Sequence, residues 1–307
     1  MELLWKLLSK IVIKNKLQRK NFYKTISKTG IKKYLSLKNI VLHEYKKPKK
    51  FKYSVSIVAI AKNEGIYFKE WIEYHKLIGI EHFYIYNNDT EDNTKEILSP
   101  YIESGLVTWI DIHGKQQQAI AYNDAISKFK NETRWLCPLD LDEFFCLKKH
   151  SNINEFMNNF NDCFQVSIRW MMYGSSGHIK QPQGLVIENF TKHAKDCSSS
   201  FKSIFNPRAA VDAYLVHNAI GVGKWVDENR IEIGISKPTS DVVQINHYFT
   251  KSKEEFVNRK VARGSTCLKE TIIDAENTFK EFQLKNNDVD DDIMHEIVSK
   301  LKNAMTN

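Results

Sequence analysis

Apolar runs and segments of helical period alternate through the middle of the chain. The run YSVSIVAIA is continuously apolar or β-branched, as expected for a strand buried on both faces of a sheet. The segment GIYFKEWIEYHKLIG follows it with apolar residues at helical spacing and a terminal glycine. The order repeats in HFYIYNND and NTKEILSPYIESG, in LVTWIDI and KQQQAIAYNDAISKF, and ends with RWLCPLD. This alternation predicts an α/β fold with a mostly parallel sheet flanked by helices.

The regular alternation of predicted strands and helices ends at about residue 163. The segments CFQVSIRWMMYG and DVVQINHYF predict strands, and SKEEFVNRKVARG predicts a helix that Ser252 and Glu255 start with a capping box. DVDDDIMHEIVSKLKNAM predicts a final amphipathic helix with an acidic start. We therefore expect an arm at 1–50, a main domain at 51–265 that divides at residue 150, and a helical tail at 266–307.

Charge separates the arm from the rest. Residues 1–50 carry 15 Lys and Arg against two Glu, a net of +13, whereas the whole chain is +8 and the remainder is therefore −5. Because the main domain lacks the basic face of nucleic-acid-binding proteins, we expect no nucleic-acid partner. The segment MELLWKLLSKIVIKNKLQRK puts leucines on one helical face and lysines on another. It predicts either a helix on an anionic membrane surface or a helix packed on the body with its lysines in solvent.

Targeting and cysteine patterns indicate the compartment. No apolar run in the arm reaches the ~18 residues of a spanning helix, and lysines interrupt the apolar region that a signal peptide would need. The five cysteines are odd in number and include no C-x-x-C, so neither a zinc site nor a disulfide framework is predicted. We expect a cytoplasmic protein, which would lie peripherally on the inner face of the cell membrane if the arm binds that surface.

Polar residues with oxygen ligands stand at the ends of three predicted strands. In open α/β sheets, the carboxyl ends of the strands line the ligand crevice. The residues at these ends are Asn63, Glu64, Asn88, Asp89, Asp140 and Asp142.

The stretch WLCPLDLDEFF holds two aspartates, Asp140 and Asp142, within apolar surroundings. Side chains alternate along an extended chain, so the two carboxylates are predicted to point the same way. Buried carboxylates are costly unless they are paired or bind a metal. Such a pair suits Mg²⁺ or Mn²⁺, and the metal would neutralise the diphosphate of a nucleotide. The alternative is a solvated turn without a ligand.

The chain resembles nucleotide-sugar glycosyltransferases of the GT-A fold, and more narrowly the family 2-type and family 92-type enzymes of bacterial surface-glycan loci. The resemblance covers residues 54–265 and nothing before residue 50. It is carried by SIVAIAKNEGIYFKEWIEYHKLIGIEHFYIYNNDTEDNT, QAIAYNDAI, RWLCPLDLDEFF, RWMMYGSSGH and NHYFTKSKEEFVNRKVARG. It implies a GT-A-like sheet with a Rossmann-like nucleotide-sugar half at 51–150 and an acceptor half at 151–265.

The resemblance also implies roles for particular segments. The loops AKNE and YNND would hold the base and ribose, the helix QAIAYND would close over the nucleotide, and DLDE would bind the metal. The donor-binding residues so assigned are Asn63, Glu64, Asn88, Asp89, Gln118, Asn123, Asp140, Lys251, Lys260 and Arg263. The metal ligands so assigned are Asp140, Asp142 and the late histidine His247.

The implied reaction moves a sugar from a nucleotide-diphosphate donor, expected to be a UDP-sugar, to a glycan acceptor in surface polysaccharide or lipooligosaccharide synthesis. A bound Mn²⁺ or Mg²⁺ would stabilise the leaving diphosphate as a Lewis acid. The resemblance favours inversion, which needs a carboxylate base. The acceptor half offers Glu188, Asp212, Asp227 and Glu228, and we prefer Asp227 and Glu228 because they follow the glycine-containing loop GVGKWV.

Two other functions fit part of the pattern. A metal-dependent phosphohydrolase also places Asp-x-Asp at a strand end of an α/β fold, but its nucleophilic aspartate normally comes early in the domain. Asp140 follows three strand–helix units. In a non-catalytic glycan-binding protein, the carboxylates would be structural.

Overall fold

The computed structural model describes residues 13, 15–46, 50–213, 216–235, 237–261 and 274–306. Its strands are β1 (Tyr53–Ala61), β2 (His82–Asn88), β3 (Val107–Ile112), β4 (Thr133–Pro138), β5 (Glu143–Leu147), β6 (Cys163–Met172), β7 (Lys192–His193), β8 (Phe201–Phe205), β9 (Ala210–Asp212), β10 (Ile220–Gly221), β11 (Lys224–Asp227), β12 (Val243–His247) and β13 (Val289–Asp290). Its helices are α1 (Lys16–Lys46), α2 (Gly65–Leu77), α3 (Thr94–Glu103), α4 (Gln118–Phe129), α5 (Ile153–Met157), α6 (Val186–Asn189), α7 (Lys253–Glu255), α8 (Ala275–Lys285) and α9 (His295–Thr306).

A nine-stranded sheet in the order β3-β2-β1-β4-β8-β6-β12-β5, with β11 beside β6, forms the centre of the fold. Five of its pairings are parallel, and three are antiparallel. The first four strands in this order are all parallel and are joined by helices α2, α3 and α4. The predicted α/β class, a mostly parallel sheet flanked by helices, is confirmed.

Apolar side chains of β1 point to both faces of the sheet, as the continuous apolar run predicted. Ile57 and its alternate neighbours pack in a core with Trp71 of α2. Val58 and Ile60 pack in a second core with Tyr122 of α4. Helices therefore cover this half of the sheet on both sides, which leaves the strand ends as the open edge.

Helix α1 packs on the body through buried polar contacts. Asn21 exchanges two hydrogen bonds with the backbone of Gly221, at 2.8 and 3.0 Å. Glu44 forms a buried ion pair with Arg208. The helix changes direction at Gly30, whose φ of 73° lies in the left-handed region. The described part of the arm thus adopts the packed arrangement, with lysines in solvent, while residues 1–12 and their leucine face lie outside the described residues.

The end of the chain differs from the predicted helical tail. Val289–Asp290 pairs antiparallel with β7, and the final helix begins only at His295. The prediction of one helix from the acidic segment onward is therefore wrong at its start, because the backbone of these residues pairs with β7 instead of forming a helix.

The Ser252–Glu255 capping box is confirmed, although the α-helix that follows is short and continues as a π-helical segment, Phe256–Val261. Among the described helices, none combines the length and the apolar character that crossing a membrane requires.

Glu70 of α2 gives the fold a testable pH dependence. Its buried carboxylate accepts hydrogen bonds from the amides of Val186 and Ile187, at 2.8 and 3.1 Å, where α6 begins. Burial raises the pKa of Glu70 to about 7, against the lowering effect of these hydrogen bonds. The folded state therefore binds this proton more tightly than the unfolded chain, whose pKa is near 4.5. We expect the contribution of Glu70 to the free energy of unfolding to fall progressively as pH rises from about 4.5 to about 7, with no further change above that range.

Urea unfolding of the wild type and Glu70→Gln across pH 4.5–8 measures this contribution. The amide cannot ionise, so the stability of the wild type relative to the variant should fall as pH rises through the window. A difference between the two proteins that is independent of pH would contradict the prediction.

Candidate functional site

A tight turn between β4 and β5 presents the acidic residues. The amide of Glu143 donates to the carbonyl of Asp140 at 3.0 Å, which closes a four-residue turn. The amide of Asp140 in turn donates to the Glu143 carboxylate at 3.2 Å. The expectation of an extended strand through Asp140 and Asp142 is wrong, because β4 ends at Pro138 and the chain turns. The two carboxylates consequently meet different partners.

Strand pairing brings His247 to this turn. β12 runs antiparallel to β5 with His247 opposite Glu143, and the amide of Tyr248 donates to the carbonyl of Asp142 at 2.8 Å. The Nε2 atom of His247 lies 3.5 Å from Oδ1 of Asp142. Within the described residues, ligand atoms of Asp142, Glu143 and His247 all lie within 4.8 Å of one another. We call these three residues the acidic cluster.

The acidic cluster fits a divalent cation. Glu143 is fully buried, and its Oε1 atom has no hydrogen-bond partner among the described residues. Burial raises the pKa of Glu143 well above its usual range. Two carboxylates and an imidazole are the donors that Mn²⁺-class ions accept, and a bound cation would satisfy the orphaned oxygen.

Asp140 lies beside the acidic cluster but is paired with a lysine. Lys202 of β8 is completely buried, and its Nζ lies 2.8 Å from Oδ2 of Asp140 and 3.7 Å from Oε2 of Glu143. Gln118 and Tyr122 of α4 donate to the other oxygen of Asp140, at 3.0 and 3.3 Å. Against the effect of burial, Lys202 lowers the pKa of Asp140. Asp140 and Glu143 likewise raise the pKa of Lys202, although burial alone would lower it.

Two aromatic residues border the acidic cluster. The Trp170 ring centroid lies 4.6 Å from that of His247 and 5.1 Å from that of His217. Burial, followed by the charge of Lys202, lowers the pKa of His217 to about 4, so this imidazole is neutral at neutral pH. The Nε1 atom of Trp170 is buried, and no residue that the structure describes forms a hydrogen bond with it.

The predicted base and ribose residues lie at the ends of the neighbouring strands β1 and β2. Asn63 has a left-handed φ of 55°, and its side chain accepts from the amide of Glu91 at 2.8 Å. Asn88 donates to the carbonyl of Gly114 at 2.9 Å. Asp89 accepts from the Gly114 amide at 2.9 Å and contacts His113 at 2.6 Å, and both interactions lower the pKa of its carboxyl. These contacts shape the loops at the edge where β4 also ends.

The other predicted donor residues fall in different places. Glu64 is the residue that precedes α2. Gln118 reaches Asp140, as described above, whereas Asn123 accepts from the amide of Ala213 at 2.9 Å and so joins α4 to β9. The Nζ atom of Lys251 lies 4.2 Å from the ring centroid of Tyr67 and is buried there. The side chain of Lys260 and all of Arg263 lie outside the described residues.

The preferred base candidates bind backbone amides. Asp227 accepts from the amides of Asn229 and Ile231, at 3.0 and 2.9 Å. Glu228 accepts from three successive amides that lead into β12, those of residues 241–243. These contacts give both carboxylates a structural role. The other two candidates form ion pairs, Glu188 with Lys302 and Asp212 with Lys28.

Two residues of the site, Lys202 and His217, had no assigned role in the sequence, and Glu143 was included only as part of the DLDE segment. A usable signal existed for Lys202, because it interrupts the apolar strand FKSIF and a buried lysine requires a counter-ion. Glu143 carried the same signal as its neighbouring aspartates. His217 had none, since a single histidine in a loop has many ordinary explanations.

Curated plant proteins are similar to this chain. A glycosyltransferase family 92 protein of Ricinus communis is 25% identical over 228 residues, which cover 70% of this chain and 39% of that protein. A galactan β-1,4-galactosyltransferase of Arabidopsis thaliana is 28% identical over 117 residues, which cover 35% of this chain and 23% of that protein. The chain thus spans less than half the length of these relatives. They are plant proteins and give no support to a bacterial type.

Solved structures show a distant likeness. Staphylococcus aureus TarS in complex with UDP-GlcNAc has a TM-score of 0.36 and 14% identity, covering 61% of this chain and 62% of that chain. Mycobacterium tuberculosis glucosyl-3-phosphoglycerate synthase with Mn²⁺ and UDP has a TM-score of 0.26 and 14% identity, covering 38% and 44%. TM-scores this low support no statement about donor or metal.

A family model matches most of the chain. The model for glycosyltransferase family 92 covers residues 24–290, so it begins within α1 and ends in β13. The expectation that the family resemblance starts only after residue 50 is corrected by this match. The chain belongs to glycosyltransferase family 92.

Proposed function

We propose that this protein transfers a sugar from a nucleotide-diphosphate donor, a UDP-sugar, to a glycan acceptor in a metal-dependent reaction. The observation that carries the proposal is the acidic cluster at the open edge of the sheet, in a chain of this family. Asp142, Glu143 and His247 would hold Mn²⁺ or Mg²⁺. When bound, such an ion supplies Lewis-acid stabilisation of the charge on the leaving diphosphate.

The strand-end loops supply the rest of the donor site in this proposal. Asn63, Asn88 and Asp89 stand at the ends of adjacent parallel strands, where nucleotides bind in open α/β sheets. Trp170 lies beside His247, and its buried indole N–H has no partner within the described part of the chain. We assign it to the transferred or accepting sugar, because sugars stack on aromatic faces and can accept from the indole.

Galactose is the first donor sugar to test, since relatives are named galactan β-1,4-galactosyltransferases. A β-linkage formed from an α-linked nucleotide sugar requires inversion, and inversion requires a base. The amide contacts of Asp227 and Glu228 weigh against their serving as that base. We place the acceptor in surface polysaccharide or lipooligosaccharide synthesis.

Incubation with a panel of UDP-sugars and galactose-containing oligosaccharides, with Mn²⁺ or with EDTA, tests the proposal. Release of UDP with transfer of the sugar, only when metal is present, is the expected result, and NMR of the product gives its anomeric configuration. Release of inorganic phosphate would indicate the phosphohydrolase alternative. Oligosaccharide binding without turnover would indicate a glycan-binding protein.

We further propose that the protein is cytoplasmic and binds the inner face of the cell membrane through α1. The solvent side of this helix carries exposed lysines and the exposed apolar side chains of Leu35 and Leu42. Its acidic residue, Glu44, is buried against Arg208. Lysines near an anionic surface contribute about 1 kcal/mol each, and only within a Debye length.

Substituting Lys32, Lys33 and Lys38 with glutamine should weaken binding to phosphatidylserine-containing vesicles at least about tenfold at low salt. Binding of the wild type should also fall steeply as salt is added. These point variants are preferable to deleting the arm, because α1 makes buried contacts with the body. Vesicle co-sedimentation measures the effect, and transfer to a small soluble acceptor should be unchanged.

The matched control substitutes three exposed lysines on other helices, which changes the net charge equally. These are Lys95, Lys285 and Lys300. If both triple variants lose the same amount of vesicle binding, the effect is one of net charge and does not belong to α1. If the wild type does not bind anionic vesicles at low salt, the membrane proposal is contradicted.

A further inference from the structure

Lys202 is a completely buried cation next to two acidic residues, Asp140 and Glu143. It belongs to β8, whose antiparallel partner β6 places Ile168 opposite it. Its Nζ is 2.8 Å from Asp140 and 3.7 Å from Glu143. A buried lysine is tolerated only with a counter-ion, and Asp140 is the nearer of the two carboxylates. The lysine lies 62 residues after Asp140 in the chain, so only the fold brings them together.

The two aspartates of the Asp-x-Asp pair face different partners. Both carboxylate oxygens of Asp140 are engaged by protein donors, one by Lys202 and the other by Gln118 and Tyr122. Asp142 instead faces His247 across 3.5 Å. Glu143 keeps one buried oxygen to which none of the described residues donates a hydrogen bond. A ligand set that joins Asp142, Glu143 and His247 is therefore available without disturbing the contacts of Asp140.

We propose that Lys202 is a positioning residue for the proposed transfer. It takes Asp140 as its counter-ion, keeps this carboxylate out of the metal's ligand set, and leaves Asp142, Glu143 and His247 to hold the ion. The inference rests on the proposed metal-dependent function. It also assigns Asp140 a different role from the metal ligand that the Asp-x-Asp pattern predicted.

Loss of Lys202 should have different effects on metal binding and turnover if the lysine has a positioning role than if it only supports the fold. Without the charge of Lys202, Asp140 becomes free to approach the cation, and the site as a whole becomes more negative. A divalent cation should then bind more tightly, because Asp140 could join Asp142, Glu143 and His247 in holding it, and turnover should fall because the ligand set would differ from the productive one. Tighter metal binding together with slower turnover is the signature of the positioning role. A lysine that only supported the fold would, when lost, weaken both.

Titration of free Mn²⁺ by electron paramagnetic resonance, without nucleotide or acceptor, measures the metal affinity directly. Lys202→Met should lower the dissociation constant for Mn²⁺ about tenfold or more while kcat falls. The double variant Lys202→Met/Asp140→Asn removes both charges and keeps the proposed ligands. Its Mn²⁺ affinity should return to within about threefold of the wild type. Asp142→Asn should lose Mn²⁺ binding.

The double variant decides the ligand set even if Lys202→Met alone fails to fold, because it does not leave the Asp140 carboxylate without its counter-ion. If the double variant loses Mn²⁺ binding as Asp142→Asn does, Asp140 is a ligand and the inference is overturned. Unchanged or weaker Mn²⁺ affinity in folded Lys202→Met overturns the positioning role. A wild type that binds no Mn²⁺ overturns the proposed metal dependence as well, so the two failures are distinguishable.

Discussion

Asp142→Asn is expected to abolish sugar transfer while the protein stays folded. Asp142 lies at the turn between β4 and β5, and its carboxylate faces His247 in the acidic cluster. A neutral amide is a poor substitute for a charged ligand of a hard cation, so the loss of kcat should be on the order of a thousandfold. The Asp142 side chain is only partly buried and the substitution is nearly isosteric, so the free energy of unfolding in urea should change little.

Two companion variants sharpen this test. His247→Ala should weaken Mn²⁺ affinity and reduce transfer, since the imidazole is the third donor of the cluster. Asp291→Asn is the control, because Asp291 also pairs with a histidine, His193, but does so where the end of the chain meets β7. It should leave transfer unchanged. Full activity of Asp142→Asn, or of the wild type in EDTA, would rule out the metal-dependent mechanism.

Arg208→Met is expected to cost about 3–5 kcal/mol of the free energy of unfolding. The guanidinium pairs with the buried Glu44 of α1 and donates to the carbonyls of Lys130 and Thr133, at 2.7 and 2.8 Å. It also stacks over Phe51, 4.0 Å from the ring centroid. Its removal leaves the Glu44 carboxylate with Asn206 as a donor but without its cationic partner, and three backbone carbonyls lose the donor that Arg208 provides. Urea denaturation measures the loss.

A second ion pair between α1 and the body provides the control. Lys28 pairs with Asp212, but its side chain is 49% exposed. Lys28→Met should therefore cost only about 0–1 kcal/mol. The double variant Glu44→Leu/Arg208→Met should be more stable than Arg208→Met alone, because no unpaired charge stays buried. Equal, small losses for Arg208→Met and Lys28→Met would show that burial of the first pair has no energetic consequence.

The parallel half of the fold could be predicted because its signals are local. Continuous apolar runs marked β1 and β2, and helical periodicity with terminal glycines marked α2 and α3, all within a few residues of their observed bounds. Strand ends in a parallel sheet must lie along one edge, so the position of Asn63, Asn88 and the acidic stretch followed from the same pattern. Family motifs in the expected order then indicated the chemistry.

The details of the site were not local and could not be predicted in the same way. Alternation along an extended chain put Asp140 and Asp142 on one side, but a hydrogen-bonded turn sends them to different partners. The packing of α1 on the body could not be predicted either. The many lysines of its sequence indicate a solvent-exposed or membrane-binding helix, whereas its position is fixed by polar contacts with distant residues, such as that of Asn21 with Gly221.

Local residue patterns were enough to predict the α/β class, the strand-end position of the acidic stretch and the separation of a basic arm from an acidic body, because each depends on neighbouring residues. Which acids can hold a metal follows from the fold and not from these patterns. That choice depends on the antiparallel register of β12 on β5, which sets His247 opposite Glu143, and on β8, which brings Lys202 to Asp140. Pairings between distant segments are fixed by the packing of the whole sheet, and local patterns do not encode them.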